Sequence, residues 1–160
     1  VGARAVIDTV QLTRADATLA RVVALARLGQ ALALNRVDTN GGHPSIANHV
    51  DGARAELAFA RMLGADLGEW TSYTNGQLDA LPEDVAGWEV RTTRYPHGHL
   101  IIHPTDAPGR PFALVLSDGR TYRAAGWIFG IEARRDKWWR SLQPGRPAWC
   151  VPQSALRRFR

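Results

Sequence analysis

The stretch Asp84-Val85-Ala86-Gly87-Trp88-Glu89-Val90-Arg91-Thr92-Thr93 decides how the second half of the chain is read. An acid opens it, a glycine permits a tight turn, and a second acid follows. An arginine stands two positions beyond that acid. Residues two apart in an extended chain share a face, so a strand here projects Glu89 and Arg91 together. A surface ion pair is the plain reading of that pair. A site for a metal ion and a phosphate is the other.

Outward from this stretch, short apolar segments with turn signals between them fill the chain beyond Trp70. Trp70–Thr74, Trp88–Thr93, Leu100–His103, Phe112–Leu116, Tyr122–Phe129 and Ala148–Val151 are expected as strands, and Arg134–Ser141 as a short helix. Before Trp70 the period changes. Residues 11–35 are expected as one long helix, with a Thr13–Asp16 capping box and an apolar stripe of Leu12, Leu19, Val22, Val23 and Ala26. Gly29 is a point of interruption in it. Asp38–Pro44 has the composition of a loop. A second helix is expected over residues 50–63, stopped by Gly64. Helices first and strands afterwards make an α+β fold, with N-terminal helices packed on a mostly antiparallel, mixed central sheet in one layer arrangement.

The 160 residues suit one domain, 1–160, able to bury a real core. No run approaches the ~18 to 20 apolar residues that cross a bilayer, so no membrane partner is expected. Val1 in first place suggests a natural start further upstream. Cys150 is the single cysteine, which excludes an internal disulfide or a cysteine-built zinc cage and fits a reducing compartment. The formal charge is +5, and Lys137 is the one lysine. Arginine forks match phosphate oxygens in pairs, whereas lysine acts as a point charge. With a pI near 10.3, the balance favours a polyanionic partner such as nucleic acid, although GC-rich coding also raises arginine over lysine.

Glu56 lies three residues after Ala53, four before Ala60 and seven before Leu63, on or beside the small apolar face of the second helix. An ionised carboxylate there is costly unless a cation or hydrogen-bond donors satisfy it. Arg54 or Arg61 would do so as a boundary ion pair. With Asp84 and Glu89, Glu56 would instead complete three hard oxygen donors, one from a helix and two around a hairpin, suited to Mg²⁺ or Mn²⁺.

The run Gly52–Gly64 around Glu56, then Asp84, then Glu89-Val90-Arg91-Thr92-Thr93, resembles the PD-(D/E)xK nuclease superfamily, in particular its small phage and prophage proteins. Leu100–His103, Phe112–Leu116 and Gly126–Ile128 share the likeness. It covers residues 43–156, a nuclease-like core, and leaves 1–40 as an N-terminal helical extension. The resemblance implies a restriction-endonuclease-like core and a cytoplasmic bacterial or phage-encoded deoxyribonuclease. Its partner would be DNA, with a homodimer or a protein partner left open. It implies that Asp84, Glu89 and the main-chain carbonyl of Val90 bind Mg²⁺ or Mn²⁺, with Glu56 acting directly or through a water. Arg91 takes the usual lysine position.

Such a metal lowers the pKa of its water and stabilises charge on the phosphate oxygens. Arg91 cannot shed a proton at neutral pH, but its fork could hold the water or brace the transition state. The same arginine also fits a domain that binds nucleic acid without cutting it, and a structural or interaction protein, such as part of a phage particle, is a further reading. No core helix is evident between Leu100 and Phe129, and no proline precedes Asp84. Asp79 rivals Asp84 as the first acid.

Further candidates are contacts to nucleic acid. His43 and His49 bracket the start of the second helix. Arg94 follows the acid-x-base strand. Trp138 and Trp139 sit among Arg134, Arg135, Lys137 and Arg140, where rings could stack on bases while cations hold the backbone. His97, His99 and His103 are expected as surface or substrate-contacting imidazoles, ahead of a zinc site. Trp127 is expected in the core, and Arg157–Arg160 as a solvated basic end.

Overall fold

The computed structural model of the chain describes residues 8–33, 45–67, 70 and 84–160. It is an α+β fold in three layers: two helices, a four-stranded sheet and a three-stranded sheet. The expectation of one sheet is thereby corrected.

Helix α1 (Arg14–Ala33) opens on the expected box. The Asp16 carboxylate accepts from the Thr13 N–H (3.1 Å), and the Thr13 hydroxyl accepts from the Asp16 N–H (3.1 Å). The helix starts at residue 14 because Thr9–Gln11 form a strand, β1, paired with a later one. Gly29 does not interrupt it. Its inward face is Ala20, Val23, Ala24 and Leu28, rotated from the expected stripe, and Val22 is 59% exposed. Helix α2 (Ile46–Leu63) starts at Ser45, whose hydroxyl accepts from the Asn48 N–H, and ends at Gly64 in the left-handed region (φ 61°). There the Gly64 and Ala65 N–H groups close onto Arg61 and Ala60, satisfying last-turn carbonyls as a glycine C-cap does.

Val85-Ala86-Gly87-Trp88 is a two-residue hairpin turn, with reciprocal hydrogen bonds of 3.1 and 2.8 Å between Val85 and Trp88. Both central residues have positive φ, 46° at Ala86 and 87° at Gly87. That is the backbone twist such turns require, at a strain cost for alanine. The turn delivers the chain into β2 (Glu89–Thr93). The remaining strands are β3 (Leu100–Ile102), β4 (Pro111–Ser117), β5 (Thr121–Phe129), β6 (Trp139–Gln143) and β7 (Arg146–Val151).

The larger sheet runs β1-β5-β4-β2, with β2 parallel to β4 and the other pairs antiparallel. β4 is apolar along its length because it is covered twice: Ala113 and Val115 face the helices, and Phe112, Leu114 and Leu116 face the second sheet. That second sheet runs β3-β7-β6, all antiparallel. Residues 134–141 are thus not a helix. After a short helix α3 (Gly130–Ala133) and one 3₁₀ turn at Asp136–Trp138, the chain enters β6. There Trp139 pairs with Trp149, ring centroids 4.6 Å apart.

The arginines of the basic tail are exposed, as expected, while its main chain is anchored. Trp127 and Arg157 exchange main-chain hydrogen bonds of 2.9 Å, and Phe159 packs on Phe59 and Trp88. Gly126 (φ 148°) allows this approach, since a Cβ there would lie 2.7 Å from both the Arg157 carbonyl oxygen and Leu156 Cβ. Trp127 is half-buried under the Arg157 guanidinium rather than in the core. Trp70 is helical, not a strand start. Residues 71–74, the loop 38–44 with His43, and Asp79 lie outside the described residues.

Candidate functional site

β2 lies at one edge of the larger sheet, and its alternation sorts the site residues. Val90 packs on the helical side. Glu89 and Arg91 therefore point to the opposite face, where the Arg91 guanidinium lies 5.3 Å from the Phe112 ring centre. They do project together, as an ion pair at 3.6 Å. Arg91 also holds Asp106 at 3.0 Å, and Asp106 caps its own turn by accepting the His103 N–H (2.8 Å). Glu89 has a closer partner in Arg110. The sequence reading missed Asp106 and Arg110. The turn composition His103-Pro104-Thr105-Asp106 was a signal for the first; nothing local announces the second.

Glu56 is buried on the helical side, as its position in α2 demanded. Its partner is neither Arg54 nor Arg61. One oxygen, Oε2, accepts from Arg27 Nη1 of α1 (2.6 Å) and from Trp70 Nε1 (2.8 Å). Arg61 instead holds Asp16 (2.7 Å). Burial works to raise the Asp16 carboxyl, but Arg61 and Thr13 together hold it below the usual carboxylate range.

Asp84 lies partly buried just before the Val85–Trp88 turn. One of its oxygens accepts the Val90 N–H at 2.7 Å, which fixes the carboxyl at the start of β2. Burial first, then the negative charges of Glu56 and Glu89, push it up to about 8, against the Val90 hydrogen bond and the Arg91 charge. The charges of Glu56, from α2, and of Glu89, from β2, thus both act on Asp84 from either side of the sheet.

Whether this set fits a divalent cation has a divided answer. The donors are hard oxygens, and a buried carboxyl repelled by two others is what a cation relieves. Among the described residues, however, no group of three or more His, Cys, Asp or Glu is arranged to hold a metal. The geometry gives the reason. Glu56 and Glu89 approach from opposite faces of β2, and each is already paired with a guanidinium, from Arg27 and Arg110.

The other candidates lie apart from the acids. Arg94 bridges to Asp51 of α2 (2.6 Å). His49 sits in the first turn of α2, its N–H on the Ser45 carbonyl. Trp138, half-buried, packs against the core between the two sheets, with Arg135 and Lys137 over its ring. Trp139 and Arg140 belong to β6, an outer strand of the second sheet, where the Arg140 guanidinium donates to the Trp139 carbonyl (2.8 Å). The chain matches no protein-family model, no curated protein and no solved structure. No helix among the described residues is long and apolar enough to cross a membrane.

Proposed function

We propose that this chain is a nuclease of the PD-(D/E)xK type that hydrolyses DNA phosphodiester bonds with Mg²⁺ or Mn²⁺. The observation that supports this reading is the Asp84 carboxyl at the turn into β2, whose ionisation the charges of both Glu56 and Glu89 oppose, with the Arg91 fork on the same strand. Ion pairing alone needs two carboxylates with two arginines. A third carboxyl, whose charge the other two oppose, can ionise only at a cost to the fold, and either a proton or an arriving cation relieves it. Asp84, Glu89 and Glu56 would hold the metal, with the Val90 carbonyl offered by the strand, once Arg27 and Arg110 give way. The metal would supply an acidified water and charge neutralisation on the phosphate. Arg91, held by Asp106 and Glu89, would orient a phosphate oxygen with the N–H groups these carboxylates leave or release, and it has no role as a base.

One observation favours a second reading, a module that binds nucleic acid without cutting it. The acids on the two faces of β2 are each satisfied by an arginine, so the fold is compensated without any metal. Incubation of linear, nicked and single-stranded DNA with Mg²⁺ or Mn²⁺, beside Glu89→Ala and Asp84→Asn, separates the two. The nuclease reading expects cleavage that both variants abolish. Cleavage surviving both, or absent with either metal, would overturn it.

A further inference from the structure

A cleft of about 1040 Å³ opens on the Arg91 side of β2, between that strand, the Tyr95–His99 loop and β7, the middle strand of the second sheet. Its floor is apolar, with Ile101, Leu114 and Cys150. Its walls carry Arg91 and Arg146 together with three imidazoles, His97, His99 and His103. No aspartate or glutamate is among the described residues that line it. The charged groups of the lining are thus all basic, with Glu89 and Asp106 holding Arg91 from outside it.

The rim is also built to hold rings outward. Tyr95 is 77% exposed on the loop that forms the lip. That loop closes through the Gly98 N–H on the Tyr95 carbonyl (2.9 Å), and Gln153 pins it by donating to the Pro96 and Gly98 carbonyls (2.8 and 3.0 Å). Gly98 is needed there, since a Cβ would lie 2.5 Å from Thr93 Cγ2. Holding an exposed tyrosine and two imidazoles on a pinned turn lowers the ordering cost of any ligand that stacks on them.

We infer that this cleft binds single-stranded DNA, with unstacked bases on Tyr95 and His97 and the backbone held by Arg91 and Arg146. Flat rings read base faces, which a single strand offers. A duplex keeps its base faces stacked and shows only their edges, in its grooves. The volume, at the upper end of the roughly 300–1,000 Å³ of ligand sites, takes a short length of strand. The inference deepens the nuclease reading by naming a single-stranded end as substrate, because Arg91 belongs to both sites. It rests on that reading for cleavage but not for binding.

The test is fluorescence polarisation in EDTA at about 0.1 M salt, with a labelled oligonucleotide as single strand and as duplex. The expected result is a single strand bound at least about ten-fold tighter than duplex. Tyr95→Ala should weaken the single strand about five-fold or more, or about 1 kcal/mol, with an unchanged melting temperature. Arg123→Ala, which removes an exposed charge from β5, should leave the preference for single strand intact. Equal affinity for the two forms would overturn the inference. So would full affinity in a folded Tyr95→Ala, His97→Ala double variant, competition by inorganic polyphosphate as effective as by the oligonucleotide, or a preference for RNA of the same sequence. EDTA excludes cleavage, so failure here leaves the nuclease reading standing, and failure to cleave leaves this site standing.

Discussion

Asp84→Asn should make the metal-free protein more stable, and more so as the pH rises. The native carboxyl titrates near 8 instead of near 3.8 because burial and the charges of Glu56 and Glu89 oppose its ionisation. The folded protein therefore holds a proton that the unfolded chain has lost throughout that window. Its stability contribution is complete below about pH 3.8 and is lost as the pH climbs through 8. A separation of roughly four pH units at about 1.4 kcal/mol each sets a ceiling of about 6 kcal/mol. Side-chain relaxation and water entry bring such penalties down to about half that. Asparagine keeps an oxygen for the Val90 N–H and carries no charge. Between pH 5 and pH 8 the variant should therefore gain about 2 kcal/mol on the parent, or roughly 4–8 °C in melting temperature. Thermal unfolding of both proteins in EDTA at pH 5, 7 and 9 measures the gap. A gap that is constant with pH, or an asparagine variant less stable at pH 9, would refute the claim that Asp84 is enclosed by like charge.

Arg27→Ala should cost about 3–5 kcal/mol in urea unfolding, since it strands the buried Glu56 carboxylate; a loss below about 1 kcal/mol would mean that Trp70 alone satisfies it. Asp16→Ala removes the α1 cap and the Arg61 pair and should cost about 1–2 kcal/mol at pH 7. Because the Asp16 pKa is lowered on folding, that benefit is present above about pH 4 and fades as the pH falls through the folded value, so the two proteins should converge in acid. Gly126→Ala should lower stability by about 2 kcal/mol or more, as its Cβ would meet the Arg157 carbonyl, and calorimetry would show it. Ala86→Gly should raise the melting temperature slightly, by relief of a left-handed alanine worth about 1–2 kcal/mol against the chain entropy of glycine.

Much of the local structure was legible because its causes sit within four residues of each other. The Thr13–Asp16 box, the Gly64 cap, the Ala86-Gly87 turn and the apolar run of β4 each state their own geometry. Projection of Glu89 with Arg91 follows from the period of a strand, and burial of Glu56 from the period of a helix. Two strands escaped notice. β1 is three residues long, and β6 reads locally as a basic, aromatic segment whose extended form depends on a ladder with β7.

The alternation of β2 fixes which residues share a face, but the sequence is silent on what lies across from each face. Arg27 reaches Glu56 across 29 positions of chain and Arg110 reaches Glu89 across 21, and no pattern of spacing encodes either. Division of the apolar strands between two sheets likewise depends on which surfaces meet, and that division opens the cleft beside Arg91. Turns, caps and periodicity are short-range and are written in neighbouring residues. Charge compensation and enclosure are long-range, since burial lowers the dielectric around a carboxylate only after distant segments have closed over it.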